Sequence, residues 1–117
     1  MADVTLLHNP RCSTSRHALA VAGDLGADIE GVDYLKEPLD EATLRRVLAA
    51  LEDAPTDLVR RDPAFRDAGL TDADVQTADQ VVAVLLEHPR LLQRPVLIRG
   101  DRAIIGRPKE RVAPFLA

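Results

Sequence analysis

The sequence predicts an α/β fold, a mixed sheet in which a helical insertion separates a β-α-β half from a β-β-α half. Two observations support this prediction. Short apolar runs with the length of buried strands occur near both ends of the chain, and the middle carries apolar residues at helical spacing. A chain of 117 residues suits one domain, so residues 1–117 are expected to form a single domain.

The first half contains a strand, a helix and a second strand. Val4–Leu7 is a short apolar run, and the residues that follow it favour a turn. A helix should come next, because Ser13 or Thr14 can cap its start and Gly26 can end it. Ile29–Tyr34 is expected to form the second strand, parallel to the first through a right-handed crossover.

The middle of the chain is expected to be helical. Asp40 can cap one helix, and residues 55–70 fit short helical turns. Thr77 and Gln80 have the spacing of a capping box at the start of another helix, which should end or bend at His88-Pro89.

The last part of the chain contains a hairpin and a terminal helix. Pro95–Ile98 and Ala103–Ile105 are apolar runs, and Gly100-Asp101 between them suits a tight connection. Pro108 suits the first turn of a final helix. A thioredoxin-like fold has this order of elements, with the helical insertion between its halves.

Composition argues against several classes of protein. The formal net charge of −4 is unlike that of a nucleic-acid-binding protein, which usually has a basic face. No segment resembles a signal peptide or approaches the length of a membrane span. The one cysteine cannot form an intramolecular disulfide, and a free thiol without an export signal indicates a reducing compartment. A cytoplasmic protein is therefore expected.

The cationic residues are almost all arginines, because Lys36 and Lys109 are the only lysines. Arginine suits the bidentate capture of tetrahedral oxyanions. The base composition of the genome explains the same bias equally well, so the bias alone assigns no function.

Cys12 lies at the predicted helix start, where unpaired backbone N–H groups and the helix dipole stabilise negative charge. Arg11 and Arg16 add positive charge nearby. We therefore expect the pKa of Cys12 to lie below that of a free cysteine. The same N–H groups can bind an anion, so a thiolate and an oxyanion would meet at one place. A buried, inert cysteine is the alternative, but the polar flanks argue against it.

Ser15 takes the place of the second cysteine of a Cys-x-x-Cys redox pair, so Cys12 needs an external reductant. Ser15 is either a hydrogen-bond donor to the thiolate or a simple first-turn serine. His8, His17 and His88 are scattered, and with one cysteine they do not have the spacing of a metal site. No metal is expected.

Residues 8–16, His-Asn-Pro-Arg-Cys-Ser-Thr-Ser-Arg, resemble the signature of the glutaredoxin-coupled arsenate reductase family. The resemblance continues in order through Tyr34-Leu35, Glu37-Pro38, Leu58-Val59-Arg60, His88-Pro89, Arg94-Pro95-Val96 and Gly106-Arg107-Pro108. Together these blocks cover nearly the whole chain. Arg11 departs from the pattern, which often has a small residue at that position.

The resemblance implies a role for each matching residue. Cys12 corresponds to the nucleophile, and His8 and Ser15 correspond to residues that set the environment of the thiol. The arginines that hold the oxyanion correspond to Arg60, Arg94 and Arg107. The resemblance also implies a cis peptide bond at Arg94-Pro95, beside the active-site cysteine.

Each of these arginines also has a purely structural alternative. Arg60 and Arg61 can form a solvated helix face, and Arg94 can cap the preceding helix. Arg107 can pair with a carboxylate such as Glu110. The match to the family pattern favours the oxyanion role for all three.

The resemblance implies the reduction of arsenate to arsenite. The Cys12 thiolate would attack arsenate while the arginines neutralise its charge. Glutathione or another low-molecular-weight thiol would attack the adduct, and arsenite would leave Cys12 in a mixed disulfide that glutaredoxin reduces. If the arginine bias reflects a GC-rich actinobacterial genome, the thiol would be mycothiol and the reductant a mycoredoxin. No bound cofactor is expected.

Two other functions occur on this fold and are alternatives to arsenate reduction. One branch of the fold family binds RNA polymerase and senses oxidation, usually through a Cys-x-x-Cys switch that Cys12 cannot form. A related reductase-like protein would use glutathione but not arsenate, and the loss of Arg60 or Arg107 would favour it. Both arginines are present, so arsenate reduction is the preferred interpretation.

Overall fold

The strands and helices follow one another in the predicted order in the computed structural model. The structure describes residues 3–116, so residues 1, 2 and 117 of the predicted domain lie outside the described residues. The strands are β1 (Val4–His8), β2 (Ile29–Asp33), β3 (Val96–Arg99) and β4 (Arg102–Ile105). The α-helices are α1 (Ser13–Asp24), α2 (Glu41–Ala50), α3 (Pro63–Asp67), α4 (Ala78–Glu87) and α5 (Val112–Leu116). Short 3₁₀ turns occupy Pro55–Leu58, Asp72–Val75, Pro89–Leu91 and Lys109–Arg111. Within residues 3–116, every helix is too short or too polar to cross a membrane.

The strands form one mixed sheet in the order β2-β1-β3-β4. β1 and β2 are parallel, whereas β1 and β3, and β3 and β4, are antiparallel. Val4 is opposite Ile29 in the parallel pair, and Leu6 is opposite Leu97 in the antiparallel pair. This is the predicted thioredoxin-like topology, and it places the end of β1 between two other strands.

Both faces of the sheet are covered. Leu6 packs in a cluster with Ala18 of α1 and Phe115 of α5. Leu7 points to the opposite face and packs in a second cluster with residues of the helical insertion, among them Leu44 and Leu85. Because successive strand residues point to opposite faces, β1 anchors both layers. The chain that leaves β1 is therefore held from both sides.

The helices of the insertion begin where the sequence predicted. The Asp40 carboxylate accepts a hydrogen bond from the Thr43 N–H at 2.8 Å. The Thr77 hydroxyl accepts one from the Gln80 N–H at 3.2 Å, and the Gln80 side chain accepts one from the Thr77 N–H at 3.1 Å. These caps satisfy N–H groups that a helix leaves unpaired in its first turn.

The start of α1 differs from the prediction, because neither Ser13 nor Thr14 caps it. The helix begins at Ser13, and Cys12 occupies the N-cap position without a side-chain oxygen. The Cys12 carbonyl accepts the Arg16 N–H at 3.0 Å and closes the first turn. A sulfur atom therefore stands where a capping oxygen usually faces the free N–H groups.

Candidate active site

Cys12 is positioned by a tight turn between β1 and α1. Its N–H donates to the Asn9 carbonyl at 2.9 Å, and the Asn9 side-chain oxygen accepts the Arg11 N–H at 2.9 Å. The Arg16 guanidinium donates to the Pro10 carbonyl at 2.9 Å and stabilises the same turn. Cys12 is partly exposed, so the turn presents a thiol that solutes can reach.

The pKa of the Cys12 thiol is lowered to about 7. Burial is the largest single influence and raises this pKa. It is outweighed by the backbone N–H and hydroxyl of Ser15, the backbone N–H of Thr14 and the side chain of Arg94, all of which stabilise the thiolate. A thiol with a pKa near ambient pH is both ionised and strongly nucleophilic.

Ser15 is completely buried beneath the turn. Its Oγ accepts a hydrogen bond from the Asn9 N–H at 3.3 Å, which leaves the hydroxyl proton available to Cys12. This arrangement favours the first of the two alternatives for Ser15, and its role as a donor to the thiolate stays a prediction.

The side chain of Arg107 also contacts Cys12. Its Nη2 lies 3.3 Å from Cys12 Sγ, and its Nε donates to the Arg94 carbonyl at 2.7 Å. The preceding Gly106 donates its N–H to the Pro95 carbonyl at 2.8 Å, and a Cβ at Gly106 would lie 2.8 Å from Pro95 Cγ. The absence of a side chain at Gly106 lets the two segments approach, and this approach aims Arg107 at the thiol.

Arg94 lies between the thiol and the buried Tyr34. Its Nη1 donates to the Arg90 carbonyl at 3.3 Å, while its Nε is buried and has no partner among residues 3–116. Tyr34 is 1% exposed, and its hydroxyl completes no hydrogen bond within the described chain although Arg94 is beside it. Burial raises the pKa of Tyr34, so the hydroxyl keeps its proton. Two buried donors therefore remain available to an acceptor near the thiol.

Arg60 approaches the same place from the segment before α3. Its Nε is 3.6 Å from Asp62 Oδ2. Burial lowers the pKa of Arg60, and the charges of Arg94 and Arg107 lower it further, whereas Asp62 and Cys12 raise it. Arg60 therefore shares one electrostatic environment with the other two arginines and the thiol, in which cations outnumber anions.

Arg60 and Arg61 do not form a common solvated face. Arg61 donates to the Val59 carbonyl at 2.6 Å and lies 3.2 Å from Asp72 Oδ1, so it holds its own segment together. The peptide bond before Pro95 is cis, as the resemblance implied, and the one before Pro108 is cis as well.

His8 is the last residue of β1, and its ring lies over Gly31 of β2. A Cβ on Gly31 would lie 3.1 Å from His8 Nε2. The buried Nδ1 of His8 has no hydrogen-bond partner in the described part of the chain. The role of His8 in setting the environment of the thiol therefore stays a prediction. Conversely, sequence reasoning assigned no role to Tyr34, whose only signal was the Tyr34-Leu35 match in the resemblance.

Known proteins resemble this chain along nearly its whole length. The model of the ArsC family matches residues 7–115. The YfgD protein of Escherichia coli K12 is 34% identical over 112 residues, which are 94% of this chain and 93% of that protein. An arsenate reductase of Neisseria meningitidis is 32% identical over 118 residues, 99% of this chain and all of the relative. The structure of an arsenate reductase from Vibrio cholerae has a TM-score of 0.86 and 29% identity, with 98% of both chains covered. The chain therefore belongs to the ArsC family.

Proposed function

We propose that the protein reduces arsenate to arsenite through a covalent adduct at Cys12, with electrons from a low-molecular-weight thiol and a redoxin. The proposal is supported above all by Arg94 and Arg107, which meet at a thiol whose pKa is about 7. A nucleophile and cationic donors at one place suit a tetrahedral oxyanion. The N. meningitidis and V. cholerae relatives are also named arsenate reductases.

Substrate binding would use the guanidinium groups and the buried donors together. Arg107 Nη2 is 3.3 Å from Cys12 Sγ, so an oxygen bound to Arg107 would bring arsenic close to the sulfur. The Nε of Arg94 and the hydroxyl of Tyr34 supply further donors. Because the backbone already orients these groups, they stabilise developing charge with little reorganisation.

The first chemical step joins Cys12 to arsenic. The thiolate attacks arsenate, an S–As bond forms, and one arsenate oxygen takes up protons and leaves as water. A small thiolate then attacks the adduct. A disulfide forms between this thiolate and Cys12, and the electron pair of the S–As bond stays on arsenic, which leaves as arsenite. The two sulfur atoms lose the two electrons that arsenic(V) gains.

Regeneration of Cys12 requires a partner protein. Ser15 stands where an internal resolving cysteine would be, so the mixed disulfide cannot be opened within the turn. A glutaredoxin would reduce it and return Cys12 as a thiolate. No bound cofactor takes part in these steps.

The direct test is arsenite production by the purified protein with arsenate, glutathione and glutaredoxin, with a second series containing mycothiol and mycoredoxin. We expect arsenite formation that requires arsenate, thiol and Cys12, and that disappears in Cys12→Ser. Formation of a mixed disulfide without arsenite in either series would contradict the proposal and favour a reductase-like protein without arsenate activity.

A further inference from the structure

A groove lies between the sheet and helix α2, and it begins toward the end of β1 that is farther from Cys12. It has a volume of about 340 Å³. Small-molecule sites occupy about 300–1,000 Å³, so the groove is large enough to hold a ligand. None of the residues assigned to the reaction lines it. The proposed function therefore leaves the groove without a role.

The floor of the groove is one face of the sheet. Thr5 and Leu7 of β1 point to the same face because they are two positions apart. Ile98 of β3 is opposite Thr5, and Val32 of β2 is opposite Leu7, so their side chains belong to that face as well. Three neighbouring strands thus supply one continuous and mostly apolar surface.

The opposite wall of the groove is one face of α2. Thr43, Val47 and Ala50 recur at helical spacing and line the groove together. Their side chains are short, so the helix and the sheet leave a space that they do not fill. Because protein interiors are normally close-packed, an apolar space of this size suits an apolar ligand.

The groove has one charged side chain in its lining, Arg46, and no carboxylate. Arg46 is exposed, and its Nη2 donates to the Thr43 hydroxyl at 3.2 Å. The hydrogen bonds from Thr43 lower the pKa of Asp40, and the charge of Arg46 lowers it further. Even so, Arg46 forms no ion pair with Asp40 or with any other carboxylate of residues 3–116.

The preceding residue of the same helix, Arg45, shows the contrast. It lies 2.9 Å from a carboxylate oxygen of Glu41 and 2.8 Å from one of Asp79. The protein therefore supplies two anionic partners for Arg45, on the side of α2 away from the groove, and none for Arg46 at the groove.

We infer that the groove binds a medium-chain carboxylate, with its hydrocarbon chain between α2 and the sheet and its carboxylate at Arg46. Arginine binds carboxylates with paired N–H donors, so the charge of Arg46 complements this head group. An inorganic oxyanion would lose its hydration against the apolar floor without enough polar partners, and a cationic amphiphile would be repelled by Arg46. The volume suits one hydrocarbon chain of medium length rather than a lipid with two long chains. The inference does not rest on the proposed function.

Octanoate and octanol are the probes, since they share a hydrocarbon chain and differ in the charge of the head group. Each is titrated into ¹⁵N-labelled protein without arsenate, and the amide signals report both the affinity and the place of binding. We expect one octanoate to bind per chain. The signals that move should be those of the groove, among them Thr5, Val32, Thr43 and Ile98.

The first pair of variants tests the charge. Arg46→Gln should weaken octanoate binding about threefold to fivefold, the effect of an exposed ion pair worth up to about 1 kcal/mol, and should leave octanol binding unchanged. Arg66→Gln is the matched control. Arg66 is an exposed arginine of α3 outside the groove, so its substitution removes the same charge from the protein. It should leave the affinity for both probes unchanged.

The second pair of variants tests the space. Ala50→Leu places a larger side chain in the groove and should weaken the binding of both probes at least about tenfold, because a filled space has no room for the chain. Ala49→Leu adds the same volume at an exposed neighbouring position outside the groove and should change neither affinity. Circular dichroism checks that both variants fold. The Arg46 comparison decides the inference even if Ala50→Leu does not fold.

Equal losses in Arg46→Gln and Arg66→Gln would overturn the inference, as would full binding by folded Ala50→Leu. Octanoate that perturbs signals all over the protein without saturation would indicate detergent-like adsorption and would also overturn it. Groove signals that move with protein concentration in the absence of octanoate would show that a second copy of the chain covers the groove, which overturns the inference as well. Because arsenate is absent throughout, failure of the proposed function would leave this test unaffected.

Discussion

Arginines at the β4 edge and arginines around Cys12 differ in the groups to which their guanidinium groups donate. At the β4 edge, Arg102 donates to both carboxylate oxygens of Glu52 at 3.1 and 3.2 Å. Around Cys12, Arg107 donates to a sulfur and a backbone carbonyl, and no carboxylate in residues 3–116 lies within ion-pair distance of it. Charge is balanced in the first region and unbalanced in the second. The comparison teaches that the partners of an arginine, rather than its exposure, separate a structural role from a ligand-binding one.

The largest effect is expected from the removal of the nucleophile. Cys12→Ser should lower arsenate turnover at least about 10³-fold, because loss of a nucleophile removes the covalent route. The fold should survive, since Cys12 is only partly buried and its backbone hydrogen bonds remain. Steady-state arsenite production and circular dichroism measure the two properties side by side. Turnover retained in a folded Cys12→Ser protein would place the chemistry elsewhere.

Lysine substitutions test the comparison between the two regions directly. Arg107→Lys and Arg94→Lys should each lower the rate with arsenate at least about tenfold, because an ammonium cannot donate in two directions from a planar group. Arg107 does so to Cys12 and to the Arg94 carbonyl. The free energy of unfolding of each variant, obtained from melting curves, should differ from that of the wild type by less than about 1 kcal/mol.

Arg102→Lys is the matched control at the β4 edge. It should leave the rate with arsenate within about twofold, because its partner is Glu52 and an exposed ion pair contributes little. Wild-type rates in Arg107→Lys and Arg94→Lys would show that these arginines do not hold the substrate. An equal loss in Arg102→Lys would show that general charge, rather than the site, controls the rate.

Substitutions at the β4 edge should lower the free energy of unfolding rather than the rate with arsenate. The Asp53 carboxylate accepts the Ile105 N–H at 3.0 Å and the Arg111 guanidinium at 2.8 Å, and its side chain is 18% exposed. Asp53→Ala leaves both donors without this acceptor and should lower the free energy of unfolding by about 1–3 kcal/mol in urea titrations. Asp79→Ala, which removes an exposed partner of Arg45, should change it by less than about 1 kcal/mol.

Activity in Asp53→Ala should stay within about threefold of wild type at temperatures where the variant is folded. Arg111 also donates to the Arg107 carbonyl at 3.3 Å, so the two regions touch at one point. A tenfold loss of activity in folded Asp53→Ala would mean that this contact positions Arg107, and the division between the two regions would fail.

The framework of the fold could be read from the sequence because local chemistry determines it. Val4–Leu7 is apolar enough to be a buried strand, and Thr77 with Gln80 forms the predicted capping box. The start of α1 could not be read in the same way. Rules for helix caps favour the hydroxyls of Ser13 and Thr14, whereas the backbone begins the helix at Ser13 and leaves the Cys12 sulfur at the cap.

The parts of the site that depend on packing between distant segments were harder to predict. Tyr34 and Arg94 are 60 positions apart, and the mixed sheet, in which β1 lies between β2 and β3, brings the segment after β2 close to the segment before β3. Arg107 was identified through the resemblance, but its orientation depends on the close approach of Gly106 to Pro95. The spacing of residues along the chain predicts neither the proximity of Tyr34 to Arg94 nor the orientation of Arg107.

The smallest expected effect concerns the pH dependence of stability. The folded chain lowers the pKa of Cys12 to about 7, whereas a free cysteine titrates near about 8.5. Because the folded state favours the thiolate, this contribution is fully present above about pH 8.5 and is lost as the pH falls through about 7. The free energy of unfolding of wild type relative to Cys12→Ser should therefore rise between pH 6.5 and 9. The rise should be about 1 kcal/mol, since solvent screens a partly exposed thiolate.

Urea titrations of both proteins under reducing conditions measure this difference, and the ultraviolet absorbance of the thiolate gives the midpoint independently. Cys12→Ser is the blank because it removes this titration and leaves every other group in place. Ser15→Ala should raise the midpoint toward that of free cysteine and reduce the rise, since the Ser15 hydroxyl helps to stabilise the thiolate. A wild-type midpoint at or above about 8.5, or a difference that falls with pH, would show that the turn does not stabilise the thiolate. The proposed nucleophile would then lack the ionisation at neutral pH on which its reaction with arsenate depends.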